Sequence, residues 1–142
     1  MNTDIDTLNM LVTGAIWRAE NLDELKIETA PLAWLEVSKL EENIANAISA
    51  KETEGRIARR GAVRAALKSK DTKRAYRLVE GYTAESGAPA ALCSELKKML
   101  KADTEEMWKM FPFAAKHYQT SDAQSIAAQL SAYGPFGLGR AA

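Results

Sequence analysis

Between Gly55 and Arg77 the chain carries nine basic side chains and one acidic one. Arg56, Arg59, Arg60, Arg64, Lys68, Lys70, Lys73, Arg74 and Arg77 give this stretch a formal charge of +8, against −7 for residues 1–54 and −1 for residues 78–142. The net charge of zero therefore hides a strong separation along the chain. The chemistry open to such a block is binding, because its local field attracts a polyanion or an acidic protein surface. Six of the nine are arginines, whose planar guanidinium suits phosphate and points to DNA or RNA. Against nucleic acid stands a whole-chain pI of about 6.6, well below the value above roughly 9 usual for a nucleic-acid-binding domain. A third outcome is internal. The carboxylates of Glu36, Glu41, Glu42, Glu52 and Glu54 are close enough in sequence to cancel much of the field by antiparallel packing.

For bond-making chemistry the inventory is thin. His117 is the sole histidine and Cys93 the sole cysteine, which excludes a site built on two histidines, a multi-cysteine zinc site, a C-x-x-C pair and an internal disulfide. No glycine-rich phosphate loop leading to Lys-Ser/Thr and no Gly-x-Ser-x-Gly elbow occurs. His117, with Tyr118, Ser121 and Asp122 nearby, could supply a base and an orienting acid, but a lone histidine in Phe113-Ala114-Ala115-Lys116-His117-Tyr118 reads as structural. Cys93 shares an apolar stripe with Leu96 and Leu100 and reads as a small buried hydrophobe. Trp17, Trp34 and Trp108 sit in or beside apolar stripes, where core packing and an aromatic anchor at an interface are indistinguishable. The expectation is no enzyme, no cofactor and no metal.

These residues are set on helices. With 142 residues, 46% of them hydrophobic, the chain is long enough for one domain with a real core and needs no disulfide or metal to hold it. Ile5, Leu8, Leu11, Val12, Ala15, Ile16 and Ala19 make one helical stripe from a start near Thr3 or Asp4. Asn21 with Glu24 reads as a capping pair for a short turn ending near Ile27. Thr29-Ala30-Pro31 opens a helix reaching about Ala50, with Val37, Leu40, Ile44, Ala47 and Ile48 inward. Residues 53–68 allow two readings, one helix with Ala58, Gly61, Ala62 and Ala65 on a single small-residue face, or two helices broken at Gly61. The stretch Gly55–Arg64 resembles the first half of a helix-turn-helix, although Gly61 follows Ala58 by three residues instead of the usual four.

Asp71 caps the next helix, which turns Ala75, Leu78, Val79 and Tyr82 inward and Lys73, Arg74 and Arg77 away. Ser86-Gly87-Ala88-Pro89 ends it and starts another, with Leu92, Cys93, Leu96, Met99 and Leu100 inward. Asp103 with Glu106, then Ser121 with Gln124, resemble capping boxes for two more helices. No alternating β-branched run and no hairpin turn occurs, so the expected fold is all-α, a helical bundle of six or seven helices over residues 1–133. Residues 134–142 hold three glycines and a proline and read as a flexible tail that docks through Phe136 and Leu138. No signal peptide and no membrane-spanning run is visible, and the expected location is cytoplasmic. Function is expected to be docking on a protein partner or on a second copy, through the charge-segregated surface and the tail, with nucleic-acid binding through residues 56–77 as the alternative.

Overall fold

Helices account for the regular structure of residues 4–110, the part of the chain that the computed structural model describes. They are α1 (Ile5–Glu24), α2 (Ala30–Ala47), α3 (Thr53–Lys68), α4 (Thr72–Thr83) and α5 (Ala90–Met110). The fold is all-helical, with no strand among the described residues. The helix expected from Ser121, the tail with Phe136 and Leu138, and His117 lie outside the described residues.

Two boundaries differ from the sequence reading, at Asn21 and at Asp103, and of the two readings of residues 53–68 the single helix is the one formed. Asn21 is no cap, since α1 runs through it to Glu24. The helix ends instead on Lys26 in the left-handed region (φ 55°), where Ile27 N–H reaches the Leu22 carbonyl at 2.9 Å. This is the closure that glycine usually serves, made here by lysine. Asp103 lies inside α5, which continues without a break to Met110. Residues 53–68 form a single helix, with Gly61 in its interior. Its end repeats that of α1: Lys70 takes φ 66° and Asp71 N–H reaches the Ala66 carbonyl at 3.1 Å. Pro31 sits in the first turn of α2, and Asp71 caps α4 by accepting the Arg74 backbone N–H at 3.0 Å.

Packing is ordered around α2 and α3. The first of these touches α1 on one side and α3 on the other; α3 also touches α4 and α5, and α4 touches α5. Among the described residues α1 rests on α2 alone. The seam between α2 and α3 is built from small side chains, with Ala33, Ala45, Ala58, Ala62, Ala65 and Ala66 buried. Larger side chains, Val37, Val63, Leu92 and Leu96, fill the centre. Gly55 and Gly61 explain themselves here. A side chain on Gly55 would collide with the Ser49 carbonyl, and one on Gly61 would come within 2.6 Å of the Glu41 carboxylate. Trp34 is a core residue whose indole N–H donates to Asp23 Oδ2 at 2.6 Å, while the Lys68 ammonium lies 4.5 Å from its ring centre.

Candidate functional site

The basic block is distributed over α3, its cap and α4, and the structure sends its members to different ends. Arg59 is buried. Its Nε and Nη2 donate to the two oxygens of Glu85 at 2.8 and 2.9 Å, and its Nη1 donates to the carbonyls of Ile48 and Gly55 at 2.9 and 2.8 Å. The same guanidinium stands 5.4 Å from the centre of the Tyr82 ring. Arg74, expected to point away from its helix's apolar face, is buried as well. It donates to Ser38 Oγ at 2.9 Å and to Glu42 at 2.6 Å, while Ser38 in turn donates to the Ala62 carbonyl at 2.8 Å. The reason is the hydroxyl of Ser38, which gives α2 a polar foothold that a guanidinium on α4 can reach. Arg60 pairs with Glu95 of α5 at 2.9 Å, and Arg56 donates to the Lys51 carbonyl at 2.6 Å and to Thr53 Oγ1 at 3.1 Å. Lys68 is held over Trp34.

Arg64 is exposed and its charge falls on Glu41, whose carboxyl burial pushes up to about 7 against the lowering pull of Arg64. Lys70 is exposed at the left-handed turn and holds down the Asp103 carboxyl, which burial raises. Lys73 and Arg77 are exposed and form no ion pair among the described residues. Of the carboxylates expected to cancel the block, Glu41 and Glu42 meet it, whereas Glu36 pairs with Arg18 at 2.8 Å. Glu85 and Glu95 were not legible as partners, because they lie 26 and 35 residues from the arginines they bind.

Two surface features remain once these pairs are made. The first is a cleft of about 540 Å³ between the end of α2, Arg59 of α3 and one side of α4. Glu42, Arg59, Tyr82 and Glu85 line it, with Arg77 and Gly81 on the α4 wall. Tyr82 is 7% exposed, and its hydroxyl is buried with no hydrogen-bond partner among the described residues. Burial, reinforced by the Glu42 carboxylate, keeps that phenol protonated far above the ordinary range.

The second is the outer face of α1. Asp6, Met10, Gly14, Trp17, Asn21 and Glu24 follow one another at three- and four-residue spacing, opposite the buried Leu8, Val12, Ala15 and Ala19. Met10 is 76% and Trp17 71% exposed. A side chain on Gly14, or on Gly81 in the cleft, would meet nothing within 4 Å. An interior helical glycine costs about 1 kcal/mol relative to alanine, and at these two positions no packing among the described residues requires it. No family model, no curated protein and no solved structure matches this chain.

Proposed function

We infer that this chain is a helical docking protein, without catalytic chemistry of its own, that holds a basic amphipathic helix of a partner protein against the outer face of α1. The observation that carries this reading is the two-sided helix. While its inner stripe is satisfied by α2, α1 leaves Met10 and Trp17 in water. Tryptophan is the residue type most enriched among interface anchors. The two lie seven residues apart, about 10.5 Å along the axis, the repeat at which a facing helix presents its own anchors. Between them Gly14 lets a partner backbone approach closely. Asp6, Glu20 and Glu24 surround the pair, so the rim favours lysine or arginine flanks and repels a second acidic copy of α1. Docking is preferred to nucleic-acid binding because Arg59, Arg60 and Arg74 are already paired with Glu85, Glu95 and Glu42.

The test is a titration of the ¹⁵N-labelled full chain with a synthetic lysine-flanked helix that carries leucines seven residues apart. The expected result is amide shifts confined to the outer face of α1, weakened by salt as an exposed charged rim should be, and lost in Trp17→Ala. Absence of shifts at about 1 mM peptide overturns the reading, as does binding that ignores Trp17→Ala. A dimer in light scattering that Trp17→Ala dissociates overturns the choice of partner and gives the face to a second copy.

A further inference from the structure

We propose that residues 121–133 of this same chain fold back over the corner between α1 and α2, setting Ile126 and Leu130 on Leu25 and Leu32. The corner lies beyond Trp17, at the end of α1, so the contact leaves the face of Met10 and Trp17 to its partner and stands independently of the docking reading. Leu25 is 70% and Leu32 67% exposed. They stand on one side of the α1–α2 pair, because Leu25 follows Arg18 by two helical turns, Leu32 precedes Glu36 by one, and Arg18 and Glu36 meet at 2.8 Å. Ile27, 44% exposed, is explained by the corner itself. With Lys26 left-handed and the Ile27 N–H on the Leu22 carbonyl, it is the apolar residue that such a closure turns back toward its helix. Leu25 and Leu32 serve no such closure.

What covers them follows from where the chain goes next. Trp34 donates to Asp23 and lies under Lys68, which brings together the end of α1, the start of α2 and the end of α3. Asp103 of α5, its carboxyl raised by burial, is drawn back down by Lys70 and by the Thr72 hydroxyl, which adds the start of α4 and the second half of α5 to the same end of the bundle. The chain therefore leaves α5 at the end where the two leucines are exposed. From α5 through α3 and α2 to α1 is three packing contacts, about 24–30 Å at the usual spacing of helix axes. Residues 111–120 reach about 33–36 Å when extended, enough to cross, and Pro112 opposes a continuation of α5. The residues after them suit the corner. Ser121 with Gln124 predicts a helix start, and the spacing of Ala123, Ile126, Ala127 and Leu130 predicts one apolar stripe with its two large side chains a turn apart. Attachment gives this segment a local concentration in the millimolar range, which favours it over a separate molecule of like chemistry.

The test is paramagnetic broadening in the ¹⁵N-labelled full chain. A nitroxide is attached at Glu28→Cys, an exposed position in the corner, in a Cys93→Ser background that leaves no other thiol. The expected result is loss of the amide signals of residues 121–133, and their return when the label is reduced. Leu25→Asp with Leu32→Asp should restore the signals with the label still oxidised, while the amides of α3 keep their positions, since both leucines stand mostly in water. Ile126→Asp should restore them as well, without altering any of the five helices. A mixture of nitroxide-bearing ¹⁴N chain with ¹⁵N chain lacking the label separates the occupants. Signal loss at residues 121–133 in the mixture gives the corner to a second copy and overturns the proposal. No broadening at these residues in the labelled chain overturns it too, as does broadening that survives Ile126→Asp or the paired leucine substitutions.

Discussion

Glu41 is the side chain whose protonation matters most to the fold. It is buried beside Gly61, and its folded carboxyl holds its proton up to about pH 7 instead of the ordinary 4.5. The folded chain therefore binds more protons than the unfolded one between these values, and stability falls as pH rises from about 4.5 to 7. Asp103, raised by burial, acts with the same sign. The loss through Glu41 amounts to at most about 3 kcal/mol, and Glu41→Gln should flatten most of it in melting curves recorded from pH 4 to 8. A second expectation concerns glycines. Gly14→Ala and Gly81→Ala should each stabilise the fold by about 1 kcal/mol in urea melts, since neither new methyl meets an atom. Gly61→Ala should give no such gain, because its methyl displaces a buried carboxylate. Arg59→Met should cost about 2–4 kcal/mol, the penalty for leaving the Ile48 carbonyl and Glu85 without their donor.

At the scale of elements, the helices differ in how firmly they are held. With a single neighbour, α1 should open without the rest, so native-state hydrogen exchange should release its amides at lower free energy than those of α3, which three helices surround. Trp17→Ala should leave the melting temperature within about 1 °C, as surface substitutions usually do, whereas Trp34→Ala should lower stability by about 3–5 kcal/mol. Much of this arrangement is legible in the sequence. The stripe Ala75, Leu78, Val79, Tyr82, the cap at Asp71 and the start at Pro31 follow from side-chain type and spacing alone. The missed boundaries share one cause. The end of α1 carries lysine where the usual signal is glycine, while Asn21 and Asp103 look like caps but sit inside helices that packing carries through them. In the candidate sites, the cations are legible and their destinations are not. Trp17 and Trp34 have equivalent neighbourhoods in sequence, and only the packing, which buries Trp34 of α2 against Asp23 and Lys68 and leaves Trp17 of α1 in water, separates an exposed anchor from a core residue.

For the whole molecule, the sorting of charge along the chain becomes a set of cross-links between helices. Arg18 to Glu36 ties α1 to α2, Arg74 to Glu42 ties α4 to α2, Arg60 to Glu95 ties α3 to α5, and Arg59 to Glu85 ties α3 to the turn after α4. Among the described residues no helix is long and apolar enough to cross a membrane. Because Arg59 and Arg74 are buried, raising salt should change the melting temperature little, even as it weakens contacts on the exposed acidic rim of α1. The fork of Arg59 on Glu85 also bears on how this sequence can drift. Position 59 sits mid-helix between two carbonyls it must satisfy, and position 85 lies beyond the next helix, so neither can change alone without stranding the other. In a library of random variants, position 85 should tolerate little beyond a carboxylate while arginine stands at 59. Apolar pairs should appear at the two sites only together, and Met10 and Trp17 should vary freely in a screen for folding and narrowly in a screen for partner capture.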